Sequence, residues 1–303
     1  MNTFDANGAQ KIASTPSGAA GGVLAGTYPN PTFDTSTVTA FALTLLNDAD
    51  AATARTTLGI ALPRGYIDGF TLANNGADAT NDIDIAVGAC RDSTNAADIV
   101  LAAALTKRLD AAWAVGTNQG GLDTGAEASS TWYHVWAIKR SDTGVVDVLF
   151  STSATAPTMP ANYDFKQIIG SIYNDGSSVI RPFSQLGNEF LWKTPITDVG
   201  VTNLSTSSVS YTLSTPLGRK TWAVFVASGS NAAAGNVAYI RALDQTDIAA
   251  IPTIRFVTAN TLVATYSRTR TNTSSQIAAR ASAASTSLNI YTRGWLDPRG
   301  ENV

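Results

Sequence analysis

Thr131-Trp132-Tyr133-His134-Val135-Trp136-Ala137-Ile138-Lys139 is dense in aromatic and β-branched residues, the composition of a pleated, half-buried strand. Successive side chains of a strand point to opposite faces, so Trp132, His134 and Trp136 share one of them. That face has two meanings. It is either an aromatic strip with a polar centre on which a sugar could stack, or a packed face or subunit interface around a satisfied imidazole. Large aromatics are core and interface material, which favours packing.

The same period of two recurs on both sides of this stretch. From Tyr66 it predicts strands over 66–72, 83–87, 99–105, 145–150, 166–173, 179–184 and 189–192, separated by Gly, Asn and Pro. The run Ile99-Val100-Leu101-Ala102-Ala103-Ala104-Leu105 fits a short helix as well as a strand. Asn174-Asp175-Gly176-Ser177 predicts a hairpin turn between Ile172 and Val179. Beyond Pro195 seven further strands are expected, over 208–213, 221–227, 237–243, 253–257, 262–267, 276–283 and 286–295, the density of a sandwich or jelly roll. The predicted class is mainly β, with two antiparallel β-sandwich or jelly-roll-like domains.

The first 40 residues are different. They are a Gly, Ala, Ser, Thr and Pro string that cannot build a core of its own and reads as an extended arm. A helix is predicted over 48–58, with Asn47 or Asp48 as cap, Asp48 and Asp50 at the positive end of the dipole, and Gly59 closing it. Eleven weakly amphipathic residues are marginal alone, so this helix needs a partner, most simply copies of itself. Three regions follow: an arm with its helix over 1–60, a middle β domain over 61–195, and a C-terminal β-sandwich over 196–303.

Charge excludes several functions. The 303 residues hold 20 Lys and Arg against 23 Asp and Glu, a net charge of −3, with no basic block to serve as a nucleic-acid footprint. No apolar run approaches the length of a membrane helix, and the N-terminus shows no secretion signal. Polarity comes instead from 39 Thr and 26 Ser, and 48 Ala add small surfaces that let identical chains approach closely. One Cys allows no intrachain disulfide, so durability must come from packing or oligomerisation.

Two N-terminal stretches carry a resemblance. Gly21-Gly22-Val23-Leu24-Ala25-Gly26-Thr27-Tyr28-Pro29-Asn30-Pro31-Thr32 resembles the GGDLSGTYPNPTV element of many phage tail-fibre and related virion proteins, with Val23 where Asp is usual. Leu45-Leu46-Asn47-Asp48-Ala49-Asp50-Ala51-Ala52-Thr53-Ala54-Arg55-Thr56-Thr57-Leu58-Gly59 is similar to the LLDDADAAAARATLGL segment that precedes fibre domains in the same class. The middle third is similar to a recurring phage tail module, most clearly in Asn81-Asp82-Ile83-Asp84-Ile85-Ala86 and in Leu105 to Trp113. The resemblance implies a homotrimeric, non-enzymatic fibre of the phage virion, extracellular after release. Tyr28, Pro29, Asn30 and Pro31 would dock it on tail or baseplate proteins, and its C-terminal domain would contact a host surface glycan or protein. A head or collar fibre or decoration protein, and a polysaccharide depolymerase tailspike, are the alternatives.

The chain's own chemistry agrees in what it lacks. A single His rules out a multi-His metal site, no phosphate loop or nucleophile elbow occurs, and no carboxylate pair stands out for glycan hydrolysis, so no catalytic residue and no cofactor are expected. Asp78, Asp82 and Asp84 lack calcium-loop spacing and alternate as a half-exposed strand would. Cys90 has no activating neighbour. The binding candidates are Arg268 and Arg270 with Tyr266 and Arg241; Arg255, Arg280 and Arg293 lie in neighbouring strands. Converging, they would bind acidic sugars or phosphates bidentately, although outward charges on exposed strands also block edge-to-edge pairing. Trp222, Trp295, Tyr239 and Tyr291 are either stacking surfaces or core.

Overall fold

The computed structural model describes residues 3–4, 10–11, 18–28, 30–49, 51–249 and 251–300. The chain is mainly β, with 46% strand against 4% helix, and it separates into two units, Met1–Ala61 and Leu62–Val303.

The first unit is built from short local pairings. Strands β1 (Thr3–Phe4) and β2 (Gln10–Lys11) pair, as do β3 (Gly18–Ala19) with β5 (Thr27–Tyr28) and β4 (Leu24–Ala25) with β6 (Thr32–Phe33). Helix α1 (Ala40–Leu46) was not expected. Its start is set by Thr39, whose hydroxyl accepts from the Ala42 N–H at 3.2 Å, but its apolar run lacks the polar face that makes a helix legible. Helix α2 (Ala51–Thr57) is the expected one, shortened at both ends. Gly59 closes it with φ +69°, and the Ile60 N–H reaches back to the Arg55 carbonyl at 2.8 Å. The Asp50 cap contribution lies outside the described residues. Val23, Phe41, Leu46 and Ile60 are each more than half exposed, so the described part of this unit buries no large core.

The second unit holds four sheets. A three-stranded sheet contains β7 (Ile67–Gly69), β10 (Gly88–Arg91) and β11 (Asp98–Leu101). The run that fitted helix or strand thus resolves as β11 followed by a new strand, because Ile99 and Leu101 face a core while Val100 is exposed. A seven-stranded sheet has the order β16-β14-β15-β13-β12-β9-β8. Its members are β8 (Leu72–Asn74), β9 (Asp82–Ile85), β12 (Leu105–Ala112), β13 (Gln119–Leu122), β14 (Thr131–Arg140), β15 (Val146–Ser151) and β16 (Tyr163–Asn174). Here the expectation of purely antiparallel sheets is corrected, since β13 runs parallel to both β12 and β15. Gly120 and Gly121 permit this insertion. A Cβ on Gly120 would lie 2.0 Å from the Ala112 carbonyl oxygen, and one on Gly121 would lie 2.6 Å from the Phe150 ring.

The remaining sheets face each other. Five strands are ordered β17-β18-β25-β20-β23: β17 (Phe183–Leu186), β18 (Glu189–Val201), β20 (Trp222–Gly229), β23 (Val263–Arg270) and β25 (Leu288–Leu296). Four are ordered β19-β24-β21-β22: β19 (Val209–Thr212), β21 (Val237–Arg241), β22 (Ile254–Arg255) and β24 (Gln276–Ala281). Phe225, Ala227 and Ile290 from one sheet and Ala238, Ile277 and Ala279 from the other fill the space between, a sandwich-like core.

One sheet serves two cores. The first half of β18 and the end of β25 place Phe190, Trp192 and Trp295 in the core of the middle region, with Phe190 stacked on Trp295 at 5.0 Å and Trp132 edge-on to it at 5.4 Å. The other halves place Val199, Leu288 and Ile290 in the sandwich core. The cut expected at Pro195 therefore falls within β18, at an irregularity in its pairing with β25 between Leu191 and Ile196. Arg299 extends the tie, donating to the Phe70 and Ile169 carbonyls at 3.3 and 3.0 Å.

Candidate functional site

The turn, the lone His and the acids resolve first, as structure. Asp175 Oδ1 accepts from the Ser177 and Val179 N–H groups, which builds the expected turn at 174–177. Strand β14 is buried on both faces, and His134 is 1% exposed with Nδ1 2.9 Å from the Ser171 hydroxyl. Burial, helped by the charge of Arg219, pushes its pKa down to about 3, so the ring is neutral and serves packing. Asp84 Oδ1 accepts from the Asn75 amide and the Thr106 hydroxyl, and Asp78 Oδ1 from the Thr80 and Asn81 N–H groups, while burial raises Asp82. Among the described residues no group of three or more His, Cys, Asp or Glu side chains could hold a metal. Burial, with Asp92 adding to it, pushes the Cys90 thiol up to about 12, which keeps it from forming a thiolate.

The arginine candidates divide between two sheets. Arg241 belongs to β21 in the four-stranded sheet, where its guanidinium donates to the carbonyls of Ala242 and Gln245 and to the Ser208 hydroxyl. Arg280, in β24, pairs with Asp247 and lies 4.1 Å over the Tyr239 ring. These two are occupied with local structure. Arg268, Arg270 and Tyr266 stand together on β23, the edge strand of the five-stranded sheet.

Register explains why β23 builds a surface. Arg270 lies opposite Trp222, Arg268 opposite Val224 and Tyr266 opposite Val226, while Phe225 and Ala227 point into the sandwich core. Val226 in turn lies opposite Tyr291 of β25, so Tyr266 and Tyr291 share the outer face. The pairing of β20 with β25 shifts between Val224 and Phe225, and Arg293 is the extra residue at that shift. Trp222 is 41% exposed, Tyr266 59% and Tyr291 37%. Arg268 and Arg270 lie 5.1 and 5.9 Å over the Trp222 ring, and Arg293 lies 5.7 Å over Tyr266. Arg270 also pairs with Asp244, whereas Arg268 and Arg293 have no acidic partner among the described residues. Exposed aromatic rings and guanidinium groups lying over them thus share one sheet surface, and two of those cations carry no acidic partner among the described residues. Trp295 and Tyr239, the other stacking candidates, are buried.

A recess near this face escaped sequence reasoning. It measures about 280 Å³ and is lined by Trp136 and Gln167 of the seven-stranded sheet and by Arg219 and Lys220 from the loop before β20. The adjacent basic pair after Gly218 was the one available signal. Nothing along the chain placed it against Trp136, more than 80 positions away.

Of the expected docking residues, Tyr28 and Pro31 are half-buried and Asn30 is exposed, and Pro29 lies outside the described residues. None of the described helices is long and apolar enough to cross a membrane. Comparison with protein-family models gives no match for this chain, and comparison with curated proteins gives none either.

Proposed function

We propose that this chain is a non-enzymatic phage virion fibre that attaches to the tail by its N-terminal unit and binds an acidic glycan of the host surface through its C-terminal sheet. The observation that carries the binding role is the outer face of the five-stranded sheet, with Trp222, Tyr266 and Tyr291 exposed and Arg268 and Arg293 without an acidic partner among the described residues. Aromatic rings stack on the C–H faces of sugars, and a guanidinium meets a carboxylate with two parallel hydrogen bonds. The N-terminal assignment is supported by the resemblance of residues 21–32 and 45–59 to virion attachment elements.

Surface-plasmon titration with polygalacturonate, and with dextran as the neutral polymer, tests the binding role. The acidic polymer should bind and the neutral one should not. Trp222→Ala and Arg268→Glu should each weaken the interaction by about tenfold, the worth of one stacked ring or one charge-assisted contact. Both positions are exposed, so unfolding should move by no more than about 1 kcal/mol. Equal binding of the two polymers, or indifference to both substitutions, would refute the assignment.

The fibre is proposed to be a homotrimer. Its support is the exposed Val23, Phe41, Leu46 and Ile60 of the N-terminal unit, which an oligomer would cover, and avidity would let each binding site be weak. Sedimentation equilibrium should return three chains per particle; a monomer would remove this part of the proposal.

A further inference from the structure

The recess beside Trp136 has the makings of a binding site that the outer face does not use. Its base is apolar, from Trp136 and Ile168, and its walls bring together Gln167, Arg219 and Lys220. No carboxylate lines it. Arg219 is 7% exposed and held by Asp297 at 3.0 Å, so its position is fixed at the wall of the recess. The carboxamide of Gln167, 5% exposed, makes no hydrogen bond to the described residues. The amide of Gln167 and the cations of Arg219 and Lys220 thus stand beside an apolar base, the make-up of a small ligand pocket. Lys220 is exposed at the rim and forms no ion pair among the described residues.

We propose that this recess binds a single carboxylate-bearing sugar at the end of a glycan chain. At about 280 Å³ it sits at the small end of ligand cavities, suited to one ring and too small for several. The indole and Ile168 take the apolar face of the ring, the amide of Gln167 takes a hydroxyl, and the two cations take the carboxylate. The inference rests on the glycan reading above, because Lys220 joins the recess to the side of the sheet that carries Arg270 and Trp222. Lys220 also lines a neighbouring recess of about 240 Å³ together with Asn272, Arg270 and Asp244, the acid being paired with Arg270, and Arg270 lies over Trp222. A chain captured by its terminal residue would leave past Lys220 and lie along the outer face.

Saturation-transfer NMR with free glucuronic, galacturonic and N-acetylneuraminic acids, and with glucose as the uncharged control, separates the two claims. At least one acid should bind about tenfold more tightly than glucose. Lys220→Glu and Gln167→Leu should each weaken that acid by about tenfold, while Trp222→Ala leaves it unchanged. Lys220 is exposed and Gln167 has no internal partner to lose, so both variants should keep the fold. The pocket assignment is overturned if no acid binds, if glucose binds equally, if inorganic phosphate competes as well as the sugar acid, or if both variants bind as the parent does. Polymer binding that needs Trp222 without any monosaccharide binding would sink the pocket and leave the outer face standing. Monosaccharide binding through Lys220 with polymer binding indifferent to Trp222 would do the reverse.

Discussion

Asp147→Ala is expected to destabilise the 62–303 unit by about 3–5 kcal/mol, a fall in Tm of roughly 6–20 °C for a unit of this size. Asp147 and Lys107 form an ion pair at 2.8 Å with side chains 1% and 0% exposed. Neither charge can be left alone in that environment without a large desolvation cost. The carboxylate does more than neutralise. Its Oδ2 accepts from the Gly116 N–H at 2.7 Å and its Oδ1 from the Val148 N–H at 2.6 Å, so its loss also strands two amides. Lys107 keeps the Ala114 carbonyl at 2.7 Å and the Trp113 ring at 5.4 Å, which is too little to hold an ammonium. Lys107→Met leaves those two amides still bonded to Asp147 and should fall at the lower end of the same range.

The sign of the pH dependence follows. Burial already lowers the Lys107 pKa despite the help of Asp147, and removing the acid must lower it further. The unfolded chain then holds a proton that the folded variant sheds. Its stability rises with pH up to the ordinary lysine value, and the gap from the parent narrows. Urea melts at pH 7 and pH 9.5 measure this. A gap that stays constant would mean that the lost amide contacts, not the stranded charge, dominate.

How far this was legible depends on how local each feature is. Strand alternation around His134 predicted a packed face, and Ser171 and the backbone of Leu217 satisfy the ring. The turn at Asp175 and the close at Gly59 were readable because each is made by its own neighbours in sequence. Trp222 and Trp295 were indistinguishable as letters in strands, yet one is 41% exposed and the other 0%. What separates them is register: Trp222 lies one strand in from the sheet edge, facing out, while Trp295 lies where β25 crosses into the middle core. Arg241 and Arg268 differ for the same reason, since their strands belong to opposite sheets of the sandwich. The recess at Trp136 is the extreme case, with walls drawn from Ser93 to Thr273. A parallel strand inserted at Gly120 is equally silent, because short strands of this composition normally form hairpins.

His134→Asn should flatten the acid limb of the stability curve. In the folded unit burial holds the imidazole pKa at about 3, against about 6.5 in an unfolded chain, so below pH 6.5 the unfolded state takes up a proton that the native state refuses. Stability is therefore complete above the unfolded pKa and is lost as pH falls. Each pH unit in that window removes about 1.4 kcal/mol, or about 2 kcal/mol between pH 7.5 and pH 5. That interval is informative because ordinary carboxylates remain largely ionised across it. The Leu217 backbone contact opposes the shift, but burial and the charge of Arg219 outweigh it. Asparagine keeps a polar group beside the Ser171 hydroxyl and has no proton to gain. The variant will be less stable at pH 7.5 through lost packing, so the slope and not the absolute value is the readout. Parent and variant melted in urea at pH 5, 6, 7 and 7.5 should converge by about 2 kcal/mol toward the acid end. Parallel curves would show that His134 titrates alike in both states, and a direct NMR titration of its ring near pH 6.5 would say the same.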